Sequence, residues 1–186
     1  MQLANIQMMS KVNTKIEKLV EFKGTDLDDL CEVIEASLAD EAGFSIGFHS
    51  SSLPERNFLE NYFKGILLVP DRTLIVARYD GAIAGFIQLL KPHFINESAS
   101  FSVSLENHFV APWARGYGLA RKLLLAAEQH AYESGFKILK LSMRASLTPA
   151  LSLYQNQGYK IWGTLDKYEM INNKMTEGHF LYKELL

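Results

Sequence analysis

Apolar residues recur along this chain in two rhythms, and the change from one to the other marks out its elements. Thr73 to Tyr79 and Ala82 to Leu90 are short apolar runs separated by Asp80-Gly81, a two-residue hairpin signal that predicts a pair of antiparallel strands. Phe101, Val103, Leu105 and Phe109 continue an interrupted period of two and predict a third strand ending near Val110. The rhythm then changes. Leu119, Leu123, Leu124, Ala127 and Ala131 recur at three- and four-residue spacing, which predicts an amphipathic helix to about Ser134. Gly135 is its left-handed stop. Lys137 to Met143 is again a strand, and a strand–helix–strand crossover places it parallel to the strand before the helix.

The flanks complete the pattern. Lys15 to Phe22 predicts a first strand, and residues 1–14 a flexible lead-in to a single domain over 15–186. Thr25 or Asp26 is an N-cap for a helix whose stripe is Leu27, Leu30, Cys31, Ile34 and Leu38, stopped by Gly43. Ser45 to Ser52 reads as a loop, with His49 a loop histidine. Ser52, Pro54 and Glu55 open a second helix with Phe58, Leu59, Tyr62 and Phe63 inward. Thr148 as N-cap and Pro149 open a short helix. Ile161, Trp162, Leu165, Tyr168 and Met170 suggest short strands, Asn172-Asn173 a turn, and Gly178 to Glu184 a last strand. The fold class is therefore α/β with a mixed, mostly antiparallel sheet (α+β).

Composition narrows the partners. A chain of 186 residues, 48% hydrophobic, 22% charged and with net charge −2, is an ordinary globular domain with no basic footprint for nucleic acid. The single Cys31 excludes an intramolecular disulfide, and there is no Cys/His cluster to hold a metal. No apolar run is long enough to span a membrane, and the first residues lack the apolar core of a signal peptide. These features point to the cytoplasm. Asp26, Asp28, Asp29, Glu32, Glu35, Asp40 and Glu41 give the first helix an acidic face, either a solvated surface or a wall that draws in a cationic amine.

The candidate chemistry lies at the strand–helix junction. Arg115, Gly116, Tyr117 and Gly118 place bare backbone N–H groups at a helix N-terminus, an anion site that glycines let a phosphate approach. A P-loop would need Gly-Lys-Ser/Thr there. A dinucleotide fingerprint would need glycine where Arg121 stands and an acidic residue closing the next strand, and the chain has neither. Arg115-x-x-Gly118-x-Ala120, preceded by Val110-x-Pro112, instead resembles the Gln/Arg-x-x-Gly-x-Gly/Ala signature of the GNAT family of N-acetyltransferases. Ala150-x-x-Leu153-Tyr154 followed by Gly158-Tyr159 resembles that family's second signature, one helix and one strand further on. Leu147 stands where members often have an asparagine that contacts the cofactor.

The resemblance implies a GNAT fold in which two parallel strands splay and acetyl-coenzyme A lies in the gap as co-substrate. It implies transfer of the acetyl group to an amine of a small molecule or peptide, by a monomer or homodimer, with no metal. A non-catalytic acyl-coenzyme A binding or regulatory domain is the alternative. Under this resemblance the pyrophosphate is wrapped by Arg115, Gly116, Tyr117, Gly118, Leu119, Ala120 and Arg121, with Lys122 a further candidate. A strand bulge near Phe109 and Val110 holds the thioester carbonyl, Ala150 and Tyr154 line the donor arm, and Tyr154 is the general acid. The two first helices and the last hairpin, including Trp162 and Tyr168, border the acceptor. The base is either Glu106 or His108, which strict strand alternation puts on one face.

Overall fold

The computed structural model describes residues 12–40, 54–93 and 95–185. The predicted helix stop at Gly43, the loop with His49, and Ser52 lie outside these residues. The described residues form a seven-stranded sheet and four α-helices. The strands are β1 (Thr14–Leu19), β2 (Arg72–Tyr79), β3 (Ala82–Leu90), β4 (Ser102–Val110), β5 (Ile138–Arg144), β6 (Lys160–Ile171) and β7 (Lys174–Glu184). They lie in the order β1-β2-β3-β4-β5-β7-β6. The helices are α1 (Asp26–Ala39), α2 (Arg56–Leu68), α3 (Leu119–Glu133) and α4 (Thr148–Asn156). Every neighbouring pair of strands is antiparallel except β4 and β5, which run parallel as the crossover requires.

Two cores sandwich the sheet. Leu30, Ile34, Leu59 and Phe63 of α1 and α2 pack with Leu74, Val76 and Phe86 on one face. Leu119, Leu123, Leu124 and Ala127 of α3 pack with Ile75, Ile87, Val103 and Leu139 on the other, where Tyr154 of α4 joins them. The alternation of β2 and β3 thus feeds both cores, as a sheet covered on two faces demands. Asp80 and Gly81 both adopt positive φ (48° and 97°), the type I′ geometry that matches the twist of a tight hairpin. Asn172 and Asn173 (49° and 60°) do the same between β6 and β7.

Several expectations shift. β1 ends at Leu19 rather than Phe22, β6 is one long strand rather than short pieces, and the last strand, β7, begins at Lys174 rather than Gly178. Thr25 and Thr148 make no side-chain cap bond; Thr148 is already helical. Phe58 is 51% exposed because Leu59, Phe63 and Ile66 already fill the inward stripe of α2.

The acidic face of α1 is divided: Asp28 and Glu32 are exposed, as a solvated surface requires, but Asp26, Asp29 and Glu35 are drawn in by partners on other elements. Asp26 is 3% exposed and takes both Arg78 Nη1 (2.7 Å) and Nη2 (3.1 Å), as well as the Lys23 N–H. Burial raises the Asp26 carboxyl, but Arg78 and the Lys23 amide outweigh it and hold it below its ordinary value. Asp29 accepts the Ile83 N–H at 2.8 Å. Glu35 and Asp28 together clasp Arg56. These acids fasten α1 to the sheet and to α2.

Candidate active site

β4 and β5 pair only from Ser102 to Ser104, opposite Ile138 to Lys140. Beyond that they diverge, and a cavity of about 470 Å³ fills the gap, within the size range of small-ligand sites. Its lining comes from both faces of the sheet. His108, Leu141, Met143, Leu147, Ala150 and Tyr154 border it, and all but His108 belong to or pack against the core under α3. Lys140, Ser142 and Arg144 alternate to the opposite face of β5, where Phe180 of β7 stands across from Ser142. Glu106, Trp162, Tyr168 and Glu169 complete that side.

The gap owes its chemistry to one irregularity. Gln88 pairs with Glu106 and Phe86 with Phe109, so Asn107 and His108 together oppose Ile87 alone. This is a bulge one to two residues before the Phe109–Val110 position expected, and Asn107 takes the left-handed conformation (φ 51°) tolerated best by Asn and Gly. A bulge reverses the alternation. Val103 and Leu105 face α3, but after it Phe109 faces α1 and α2. Glu106 and His108 therefore do not share a face.

Glu106 joins a polar chain on the α2 side. Arg72 Nη1 donates to Gln88 Oε1 (3.0 Å) and to Glu106 (3.3 Å). Gln88 and Asn107 both donate to the Tyr62 hydroxyl, at 3.0 and 2.7 Å. Gln88 is fully buried, so the chain satisfies a polar group that burial would otherwise penalise. Periodicity cannot find Tyr62, Arg72, Gln88 or Asn107, because only the folded register brings them to Glu106.

His108 turns the other way. Its Nδ1 lies 2.9 Å from the hydroxyl of Tyr154 and its Nε2 lies 3.0 Å from the carbonyl oxygen of Ala120. Tyr154 is 4% exposed, and burial pushes its phenol well up. Burial pushes His108 down to about 4, against a smaller upward pull from the Ala120 carbonyl. At neutral pH both groups are uncharged.

The glycine loop is open. Arg115, Gly116, Tyr117 and Gly118 are exposed, with Leu119 buried beneath them and Ala120 half-buried. Gly116 and Gly118 have φ of 88° and 73°, and nothing lies within 4 Å of where a Cβ would be at either. Gly118 is the N-cap of α3, so its position needs glycine for the backbone turn and leaves space above the helix dipole. Of the cations, Arg121 is exposed, Lys122 donates to Thr14 Oγ1 (2.8 Å), and Arg115 is ion-paired with Asp40 at the end of α1. Among the described residues, no group of three His, Cys, Asp or Glu side chains is placed to hold a metal ion, and no helix is long and apolar enough to cross a membrane.

On the opposite side of the gap, Tyr168 donates to or accepts from Ser142 Oγ at 2.9 Å and stands edge-on to Phe180. A Cβ on Gly178 would collide with the Tyr168 ring. β6 carries surplus residues here: Leu165 pairs with Gly178 but Glu169 with Thr176. Glu169 meets the Arg144 Nε at 3.0 Å. Trp162 sits at a second irregularity and packs against Phe180.

A splayed parallel pair whose first strand is bulged, and a glycine loop opening the crossover helix between the two strands, give the arrangement expected of an N-acetyltransferase of the GNAT fold. Comparison with known proteins agrees. The family model described as "Acetyltransferase (GNAT) family" matches residues 36–159. An uncharacterised N-acetyltransferase of Azospirillum brasilense, from its hisH-hisA intergenic region, is 43% identical over 129 residues, 69% of this chain and 74% of that one. Among solved structures, an N-acetyltransferase of Staphylococcus aureus Mu50 superposes with a TM-score of 0.77 at 18% identity, covering 94% of this chain and 99% of that chain. YncA of Salmonella typhimurium, solved with its cofactor acetyl-CoA, gives 0.73 at 15% identity over 94% and 95%. The chain belongs to the GNAT family of acetyltransferases, enzymes that draw on acetyl-coenzyme A.

Proposed function

We propose that this enzyme passes the acetyl group of acetyl-coenzyme A directly to the amine of a small molecule or peptide, with donor and acceptor meeting in the gap between β4 and β5. The observation that carries this reading is the double lining of one cavity, by His108, Leu147, Ala150 and Tyr154 from one face and by Glu106, Ser142 and Tyr168 from the other. In this reading the open N–H groups from Gly116 to Ala120, with Arg115 and Arg121, hold the pyrophosphate. The main chain of Phe109 and Val110, re-aimed by the bulge, holds the thioester carbonyl. Leu147 packs against the donor side as an apolar contact where family members often place an amide.

Glu106, set by Arg72, takes the first proton from the incoming ammonium. Tyr154 serves the leaving sulfur, whose thiol has an ordinary pKa of about 8.5. The mixed wall of Lys140, Arg144, Glu169 and aromatic rings suits a polar amine rather than an apolar one. Cys31 takes no part: it is buried, and burial pushes its thiol up to about 11. A lone buried cysteine fits a cytoplasmic enzyme, and the reading accommodates a monomer or a homodimer.

The test is release of coenzyme A thiol across an amine panel. Wild type turns over at least one amine, and Tyr154→Phe lowers kcat by about 100-fold or more, the usual worth of a positioned acid. Full activity of Tyr154→Phe at saturating substrates removes the acid role. Binding of acetyl-coenzyme A without thiol release for any amine points to a non-catalytic binding domain.

A further inference from the structure

Resting on the acetyl-transfer reading, we infer that His108 is a positioning residue that makes Tyr154 a two-way proton relay rather than a simple acid. The tautomer of His108 is set by Ala120. Its carbonyl oxygen can only accept, so the His108 Nε2 facing it at 3.0 Å carries the hydrogen. A neutral imidazole has one N–H, so Nδ1 is bare and accepts. The group 2.9 Å from Nδ1 is the Tyr154 hydroxyl, which therefore donates inward. The phenol oxygen then meets the cavity with lone pairs alone. At rest it is an acceptor, and it cannot give a proton to sulfur until it has taken one.

Amine acetylation has a proton of this kind. Once Glu106 has removed the first proton, attack forms the N–C bond and leaves the nitrogen positively charged. That nitrogen passes a proton to the Tyr154 oxygen while the Tyr154 proton moves to His108 Nδ1. The C–S bond then breaks with its electron pair on sulfur. The thiolate takes the phenolic proton, and Nδ1 returns its own to the phenol. One proton has travelled from nitrogen to sulfur and the relay is restored. The low proton affinity of the buried imidazole keeps the charged stage brief and drives the return to sulfur.

Ala120 lies in the first turn of α3, directly after the glycine loop. The carbonyl that fixes the His108 tautomer is thus on the same helix start that faces the donor's phosphates. Alternation along β4 does not reveal this contact, since without the bulge His108 would point away from α3.

Two experiments test the relay. In ¹⁵N spectra of histidine-labelled protein at pH 7, His108 shows a protonated Nε2 and an unprotonated Nδ1; the opposite tautomer overturns the proposal, whether or not an acceptor is in hand. In kinetics with the best amine of the panel, His108→Gln keeps an amide N–H for Ala120 but cannot take a proton. It and Tyr154→Phe each lose about 100-fold in kcat, and the double variant loses no more than the worse single one, because the two act as a unit. The KM for acetyl-coenzyme A stays within about twofold. Added imidazole restores rate to His108→Gly but not to Tyr154→Phe. Retained kcat in His108→Gln, or losses that multiply in the double variant, overturns the relay. Absence of thiol release by wild type instead refutes acetyl transfer itself and leaves the tautomer result standing.

Discussion

On the α3 face of the gap, the key residues other than His108 come from two short stretches, 115–121 and 147–154, each a loop with the turn of helix that follows it. On the opposite face they come from β4, β5, β6 and β7, held by contacts between residues far apart in the chain: Arg72 with Glu106, Ser142 with Tyr168, Arg144 with Glu169. In the proposed reading the first is the donor side, which depends mainly on local backbone conformation, and the second the acceptor side, which depends on tertiary register. Substitutions should therefore separate cleanly, some changing acetyl-coenzyme A kinetics and others the amine kinetics or the fold.

The largest effect is expected where α1 is pinned behind the acceptor side. Asp26→Asn leaves Arg78 with Glu17 as its one carboxylate partner among the described residues and costs about 3 kcal/mol at pH 7, measured by chemical denaturation. The folded Asp26 has a lowered pKa, so its contribution is complete above the unfolded value of about 4 and fades as pH falls through the folded one. The gap between wild type and variant accordingly narrows only in acid. A constant gap down to pH 2 would break the assignment.

Glu106→Gln comes next. It should lower kcat by about 100-fold while the KM for acetyl-coenzyme A holds, since the amide keeps a contact to Arg72 but cannot take a proton. Unchanged kcat would move the first proton to water. Gly178→Ala pushes the Tyr168 ring off its seat and should raise the amine KM about tenfold with little change for the donor, a loss of about 1.4 kcal/mol. Equal change in both KM values would show that the two sides are not separable. The smallest effect is at Asp40→Asn. The exposed pair with Arg115 is worth under about 1 kcal/mol, so loosening it should lower the acetyl-coenzyme A KM by about twofold. A rise would mean that Asp40 orients Arg115 for the phosphate.

The same contrast explains what could be read from the chain alone. The hairpin at Asp80-Gly81, the parallel pair and the α3 stripe were legible because each is written within a few residues. So were the Gly116–Gly118 turn and the Tyr154 helix. Alternation failed at one point, Asn107–His108, where a single extra residue sent Glu106 and His108 to opposite faces. An asparagine with φ of 51° in mid-strand is the local trace of that event, but Asn is common enough in strands and loops to pass unnoticed. Asp26, Asp29 and Glu35 of α1 were not legible for a related reason. Helical spacing cannot distinguish a carboxylate in water from one clasped by Arg78 or Arg56, since those partners are supplied by other elements.

The β6–β7 hairpin has a consequence for engineering. β6 is an edge strand bonded to β7 alone, and its surplus residues, at Trp162 and between Leu165 and Glu169, border the gap between β4 and β5. An edge absorbs insertions that an interior strand would transmit across the sheet. This hairpin is therefore where changes of length should be tolerated best, provided Glu169 stays opposite the buried Arg144. Grafting hairpins of other lengths there should redirect the enzyme to new amines while its acetyl-handling half is carried over intact.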